Sequence, residues 1–245
     1  MTKKRLDQRI QELYPALTRN QIQSFIMQGK VTVDGKIITK SGTQIAADAV
    51  VSCNIQEPKY VSRAGFKLEK ALHHFGIDVT GLTVMDAGIS TGGFADCLLQ
   101  HGAKKIYGID VGYGQLHEKI RNDPRVVVHE RTNLRELRNL DEAVDLVTLD
   151  LSFISVLKVM DAVNAILKPN GKLIVLIKPQ FEAKKEEVGK KGIIKDPKIH
   201  QSVIERVKNG IEAYGYQCQG IIESPITGTT GNKEFLAYFI RKGNS

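Results

Sequence analysis

The sequence contains few cysteines. There are three, Cys53, Cys97 and Cys218, which is an odd number, and no two of them form a Cys-x-x-Cys pair. Paired cysteines hold small secreted domains together, and clustered cysteines with histidines bind zinc. We therefore expect neither a disulfide framework nor a zinc site in this chain.

Long apolar segments are also missing. No run approaches the ~18 apolar residues of a transmembrane helix, and the first ten residues, MTKKRLDQRI, lack the apolar centre of a secretory signal peptide. A content of 42% hydrophobic and 25% charged residues is typical of globular proteins, which excludes disordered, collagen-like and coiled-coil chains. We expect a cytoplasmic protein.

Acidic residues are outnumbered by basic ones. The chain has 27 Asp and Glu against 35 Lys and Arg, a net charge of +8. Such an excess favours a polyanionic partner only weakly, because positive charge also keeps a protein soluble. The length of 245 residues allows one large domain, or a domain of ~180 residues with a small one.

The first 58 residues have a pattern of their own. Apolar spacing predicts a helix that begins near Leu6 and ends before Pro15. A second helix is predicted between Thr18, as the N-cap of a capping box, and Gly29. A hairpin with a type I′ turn at Asp34-Gly35 follows. The sequence thus predicts a small α+β domain over residues 1–58.

Pro58 marks the predicted domain boundary, since proline interrupts hydrogen-bonded structure. In the region 59–245 strands alternate with helices, a pattern that predicts a mostly parallel sheet covered on both faces. We expect a Rossmann-like α/β fold with seven strands, at 83–87, 105–110, 126–129, 145–149, 172–177, 216–223 and 234–240. Helices are predicted at 64–75, 93–101 and 198–214.

The strongest local signal is a glycine-rich turn after the first of these strands. Glycines there let a ligand approach the backbone closely. A dinucleotide site requires Gly-x-Gly-x-x-Gly, but Ser90 replaces the middle glycine, and a carboxylate at Asp86 suits an amino group better than a pyrophosphate. We therefore favour S-adenosyl-L-methionine as the cofactor, although a turn that serves packing alone is the alternative. The candidate cofactor residues of this turn are Asp86, Gly88, Ser90, Gly92, Gly93 and Phe94.

Three further strand ends carry polar residues. Asp110 ends the second strand, where a carboxylate accepts hydrogen bonds from ribose hydroxyls in either nucleoside interpretation. Asp150, a further candidate cofactor residue, and Lys178 follow the fourth and fifth strands, so the sheet should bring both to the same crevice. A lysine there could accept a proton from an alcohol, or it could be an ordinary surface lysine. Phe153 could form a wall for adenine or belong to the core.

In chain order, Lys67, Asp150, Lys178 and Glu234 resemble the Lys-Asp-Lys-Glu tetrad of FtsJ-like RNA ribose 2′-O-methyltransferases. With its N-terminal unit, the whole chain resembles the TlyA family of ribosomal RNA methyltransferases, whose members often bear the label hemolysin. The resemblance implies that these four residues are catalytic. Without it, Lys67 could lie on an exposed helix face, and Glu234 could face solvent. The segments in which the chain resembles the family most specifically are 60–65, 86–96, 110–116, 150–153 and 178–182.

The N-terminal unit is similar to the small RNA-binding module named after the fourth small-subunit ribosomal protein, here called S-four-like. Basic residues on one face would bind phosphates, giving affinity for RNA without sequence readout. A solvated basic face is the alternative. The residues that this resemblance assigns to RNA are Arg5, Arg9, Arg19, Gln23, Lys30 and Lys36.

Three functions follow from these patterns. We favour S-adenosyl-L-methionine-dependent 2′-O-methylation of ribose in ribosomal RNA, with ribosomal RNA or ribosomal subunits as partners and with neither a metal nor a membrane. An RNA-binding ribosome-assembly factor with an inactive methyltransferase fold is the second. The third, a membrane-lytic hemolysin, lacks any apolar or strongly amphipathic segment to support it.

Overall fold

The computed structural model describes residues 3–15, 17–54, 58–189 and 192–243. Two compact units make up the chain, Met1–Pro58 and Lys59–Ser245. The predicted linker around Pro58 includes Glu57, which lies outside the described residues.

The N-terminal unit combines two helices with two small antiparallel sheets. The predicted capping box of Thr18 and Gln21 is present, and the type I′ turn is confirmed by positive φ at Asp34 (49°) and Gly35 (78°). The strands pair as β1-β4 and β3-β2-β5. The elements are β1 (Lys3–Arg5), α1 (Leu6–Leu13), α2 (Arg19–Met27), β2 (Val31–Val33), β3 (Lys36–Ile37), β4 (Gln44–Ala46) and β5 (Val51–Cys53).

The second unit is built on one seven-stranded sheet, as predicted. Its order is β8-β7-β6-β9-β10-β12-β11, in which the five strands from β8 to β10 are parallel and β12 is antiparallel to both its neighbours. The strands are β6 (Thr83–Ala87), β7 (Lys105–Ile109), β8 (Val126–His129), β9 (Val144–Leu149), β10 (Leu167–Ile177), β11 (Tyr216–Glu223) and β12 (Phe235–Arg241).

Helices cover both faces of this sheet. Neighbouring residues of each central strand point to opposite sides and therefore belong to different cores. On β6, Val84 belongs to a core formed with α3 and α4, whereas Met85 belongs to a second core formed with α6 and α8. The helices are α3 (Ala64–Phe75), α4 (Gly93–Gln100), α5 (Glu118–Arg121), α6 (Met160–Ile166), α7 (Pro179–Glu182) and α8 (Pro197–Glu212).

One strand is longer than predicted. β10 begins at Leu167, directly after α6, and its register with β9 shifts before Lys172. Asn170 adopts a left-handed conformation (φ 60°) within this irregular stretch, which hides the strand pattern in the sequence. Among the helices that the structure describes, none is long and apolar enough to cross a lipid bilayer.

Candidate active site

A cavity of about 400 Å³ opens at the carboxyl edge of the parallel strands. Of the five parallel strands, β6 is the middle one, with β7 on one side and β9 on the other. The loops that leave these three strands line the cavity. Ligands of open α/β sheets bind at this kind of position. Polar residues of the lining are Ser90, Asp110, Gln115, Thr132, Asn133, Asp150 and Ser152.

Asp110 organises the loops at one side of this cavity. Its Oδ2 accepts a hydrogen bond from the backbone N–H of Ser90 (2.8 Å), and its Oδ1 accepts one from Gly112 (2.7 Å). An ionised carboxylate has about four acceptor positions. Two therefore remain for hydroxyl donors that enter the cavity.

Asp86 is fully buried at the end of β6. Its Oδ1 accepts a hydrogen bond from Thr148 (2.8 Å), while its Oδ2 receives no well-aligned hydrogen bond. Burial raises the pKa of Asp86 to about 7; the nearby carboxylate of Asp150 adds to this, and Thr148 opposes it. A buried oxygen without a partner favours a cationic or hydrogen-bonding ligand. Asp86 does not line the cavity itself.

The glycines of the turn have packing roles that sequence alone does not reveal. Gly88 has φ +82°, and a Cβ there would lie 2.4 Å from the carbonyl oxygen of Asp150. At Gly93 a Cβ would lie 2.2 Å from Oγ of Ser62, at the start of α3. Gly92, Gly93 and Phe94 are buried and lie outside the cavity lining. Their assignment to the cofactor is still a prediction.

Lys178 and Asp150 form an ion pair beside the cavity. Nζ of Lys178 lies 2.6 Å from Oδ1 of Asp150, and the side chains are 11% and 16% exposed. Nζ also donates to Oγ of Ser152 at 3.0 Å. Oδ1 of Asp150 is buried and is engaged by this ion pair, so Asp150 holds Lys178 in place. Sequence reasoning missed Ser152, although its place two residues after Asp150 at a strand end could have indicated it.

Lys67 and Glu234 form a second, more deeply buried ion pair. Nζ of Lys67 donates to Oε2 of Glu234 at 2.5 Å, and the side chains are 10% and 3% exposed. Neither residue faces solvent, so the two surface interpretations are wrong for this structure. Lys70, the neighbouring candidate on α3, donates instead to the carbonyl of Glu223. Within the described parts of the chain, no direct hydrogen bond or ion pair joins these two residues to Lys178 or Asp150.

Phe153 lies at the mouth of the cavity. Its side chain is 90% exposed, which excludes the core interpretation, and its ring centroid lies 5.0 Å from that of Phe181. The backbone has φ 65°, an uncommon value for a bulky residue. Asn133 and Leu134, from the loop after β8, also line the cavity and were not predicted, because no motif marks that loop.

In the N-terminal unit, the predicted RNA-binding residues have different surroundings. Arg5 forms a two-point contact with Asp7, with distances of 3.0 and 2.7 Å. Hydrogen bonds from Arg5 lower the pKa of the Asp7 carboxyl against the effect of burial. Arg9 lies 3.5 Å from Glu12. The remaining candidates are half-buried Gln23 and the exposed Arg19, Lys30 and Lys36.

Sequence families agree with this architecture. Residues 60–241 match the family described as FtsJ-like methyltransferase, and residues 4–51 match the S4 domain. The chain belongs to the FtsJ-like methyltransferase family. The resemblance and the fold class predicted from the sequence are thereby confirmed.

Relatives match the FtsJ-like region together with the N-terminal unit. A candidate rRNA methyltransferase of Bacillus subtilis, YqxC, is 44% identical over 96% of this chain and 85% of its own length. The 16S/23S rRNA (cytidine-2′-O)-methyltransferase TlyA of Mycobacterium tuberculosis is 40% identical over 91% of this chain and 84% of its own. Among solved structures, a candidate hemolysin of Streptococcus thermophilus has 38% identity and a TM-score of 0.76, covering 99% of this chain and 90% of that one.

Proposed function

We propose that this FtsJ-like methyltransferase transfers a methyl group from S-adenosyl-L-methionine to the 2′-hydroxyl of a ribose in ribosomal RNA. The observation that carries the proposal is the ion pair of Lys178 with Asp150 at the edge of the cavity. This ion pair sets an amino group that can take part in proton transfer beside the pocket expected to hold a nucleoside. The relative from Mycobacterium tuberculosis makes cytidine in 16S and 23S rRNA the first substrate to examine.

The residues present fit S-adenosyl-L-methionine. The cavity volume of about 400 Å³ lies in the range of small-molecule sites, and Asp110 retains acceptor positions for two ribose hydroxyls. Asp86 is buried and does not line the cavity, so we assign it a longer-range attraction for the ammonium group of the methionine portion rather than a direct contact. A pyrophosphate would meet the same carboxylates with repulsion, which argues against a dinucleotide.

When bound, this cofactor supplies a methyl group on a positively charged sulfur. The chain must bring the hydroxyl close to it, since proximity provides much of the rate in such a displacement. The hydroxyl loses a proton as it is methylated, and we assign its acceptance to Nζ of Lys178, which must first have released its own ammonium proton to solvent. Asp150 and Ser152 hold Nζ in position through contacts of 2.6 and 3.0 Å.

The second ion pair positions the substrate side of the site. Lys67 comes from α3 and Glu234 from the residue before β12, so their contact fixes a helix against the antiparallel end of the sheet. Breaking a buried pair leaves one charge without compensation and is strongly destabilising. We assign Lys67 and Glu234 to the shaping of the RNA-binding edge, in agreement with the family tetrad.

RNA binding is assigned to the S-four-like unit, residues 1–58, with the methyltransferase domain spanning 59–245. Arg19, Lys30 and Lys36 are exposed, so they can neutralise phosphates at little desolvation cost. Arg5 and Arg9 would have to exchange Asp7 and Glu12 for phosphate. From the expected substrate we infer that the protein works in the cytoplasm, on ribosomal subunits.

The decisive experiment measures transfer of tritium from labelled S-adenosyl-L-methionine to isolated 30S and 50S subunits, followed by nuclease mapping. We expect label on one or a few ribose 2′-oxygens. Label on a base would contradict the proposed acceptor. Tight binding of subunits without any transfer would instead favour the assembly-factor function.

A further inference from the structure

Three side chains to which the sequence analysis assigned no role lie together near the C-terminal end of α4, whereas the glycine-rich turn lies at its N-terminal end. Glu69 and His73 are one helical turn apart on α3, so they share a face, and His101 directly follows the last residue of α4. One ligand atom from each of the three lies within 4.8 Å of the others. None of them lines the cavity of the candidate active site.

One ring nitrogen of His101 is already fixed by a hydrogen bond. Its Nδ1 lies 2.8 Å from the carbonyl oxygen of Cys97. A carbonyl can only accept a hydrogen bond, so Nδ1 bears the proton and Nε2 of the neutral ring has a free lone pair. Histidines that bind metals are commonly held in this way, with the other ring nitrogen donating to a carbonyl or carboxylate.

We propose that Glu69, His73 and His101 bind a divalent transition-metal ion of the zinc class, with water as the fourth ligand. Two imidazoles and one carboxylate form a typical donor set for zinc. Ligand atoms of a tetrahedral zinc site stand ~3.4 Å apart, given bonds of ~2.1 Å. The donors must therefore close by ~1.4 Å at most, through rotation of the exposed His73 side chain and smaller shifts of the half-buried Glu69 and His101 side chains.

Lys59 competes with the metal for Glu69. Its Nζ forms an ion pair with Oε1 of Glu69, and its side chain is 50% exposed. A divalent ion would take the place of the Lys59 ammonium beside Glu69. The released ammonium would be solvated, so no charge would be left buried without a partner. Removing this competitor should therefore strengthen metal binding.

A metal at this position would join the second half of α3 to the end of α4. Because the three ligands come together only in the folded chain, the metal would stabilise the native state by mass action. The inference rests on the cluster alone and does not depend on the proposed methyl transfer.

The test uses the full-length protein without a histidine tag, titrated with Zn²⁺ against a chromophoric chelator and with Co²⁺ in the visible spectrum. His74→Ala is the matched control, because His74 is exposed on the same helix and outside the cluster. We expect one equivalent of Zn²⁺ in the unsubstituted protein and the control. His73→Ala and His101→Ala should weaken binding by at least about tenfold, and Lys59→Met should strengthen it.

Two further readouts make the outcome decisive. Co²⁺ should give the intense visible absorption of a tetrahedral site, and Zn²⁺ at about a hundred times its Kd should raise the Tm by about 5–10 °C. Affinity that is equal in the unsubstituted protein and both cluster variants would overturn the proposal, as would the absence of a Tm shift. Should His101→Ala fail to fold, Glu69→Gln replaces it with the same expected loss.

Discussion

Asp110 combines two tasks in one side chain, because it holds the loops at Ser90 and Gly112 and keeps acceptor positions open to the cavity. Asp110→Ala should weaken S-adenosyl-L-methionine binding by about 1–3 kcal/mol, the free energy of hydrogen bonds to a charged group. Isothermal titration calorimetry measures this, with exposed Asp141→Ala as the control. Unchanged affinity, or tight binding of NAD, would contradict the cofactor assignment.

Lys178 offers the sharpest test of chemistry. Lys178→Ala should lower the single-turnover rate at saturating RNA by roughly 10²-fold or more, the scale of general-base catalysis, with cofactor affinity nearly unchanged. Lys178→Arg should not restore the rate, because a guanidinium does not release its proton at neutral pH. Exposed Lys158→Ala serves as the control. A fully active Lys178→Arg protein would rule out proton transfer by this residue.

Asp86 should make stability depend on pH in an unusual direction for an acid. Its folded-state pKa of about 7 exceeds the ordinary 3.8, so between these values the folded state binds more protons than the unfolded state. Stability contributed by the protonated form is therefore complete below pH ~4 and is lost as pH rises towards 7. Asp86→Asn should gain roughly 2–3 kcal/mol over the unsubstituted protein between pH 5 and pH 8.

Urea denaturation of both proteins at the two pH values measures this difference, and Asp141→Asn serves as the exposed control. A difference in unfolding free energy that does not change with pH would show that Asp86 is already ionised at pH 5.

At the scale of single residues, the sequence predicted side chains that stand directly after strands, such as Asp110, Asp150 and Lys178. Strand ends are visible in the hydrophobic pattern, and the edge they share follows from parallel pairing. Contacts between residues that are far apart in the chain could not be predicted in this way. Glu234 is 167 residues from Lys67, and only the family resemblance linked them. The neighbourhood of His73 and His101 likewise depends on how α3 packs on α4.

At the scale of elements, the contact between α3 and α4 depends on glycine. Gly93→Ala would place a Cβ 3.0 Å from the backbone N of Gly65 and closer still to Ser62. Such overpacking destabilises by about 1–3 kcal/mol, which corresponds to a Tm lower by about 2–10 °C for a domain of this size. Thermal unfolding measures it without cofactor. Gly42→Ala is the control, since its nearest neighbour atom lies 3.7 Å away.

An unchanged Tm for Gly93→Ala would mean that the helices adjust freely and that their packing does not require this glycine. Cofactor affinity of the same variant then becomes the informative quantity.

The elements that the sequence predicted are those with long, regular patterns. The α3 helix ends at Gly76 in a left-handed conformation (φ 62°), as the glycine indicates, and β6 to β9 are apolar runs flanked by polar turns. The β1, β4 and β5 strands have three residues each, and α5 and α7 have four. Segments this short contain too few residues to show a period, so tertiary contacts determine them.

At the scale of the whole molecule, the two compact units allow their contributions to be separated. A fragment of residues 59–245 should fold and bind S-adenosyl-L-methionine, because the cavity and both ion pairs belong to it. It should methylate ribosomal subunits poorly, since the phosphate contacts proposed for Arg19, Lys30 and Lys36 would be gone. Transfer rates measured at several salt concentrations test this. Full activity of the fragment would assign the N-terminal unit another role.

The position of β12 in the sheet determines when the proposed active site is complete. This strand lies between β10 and β11 although it follows both in the chain, and Glu234 stands directly before it. During synthesis, a growing polypeptide that stops short of residue 234 contains Lys178 and Asp150 but lacks the carboxylate that neutralises Lys67. β10 and β11, which are made earlier, gain their shared neighbour only when β12 is added. A protein that terminates before Glu234 should therefore have no methyltransferase activity, even if its cofactor pocket still forms.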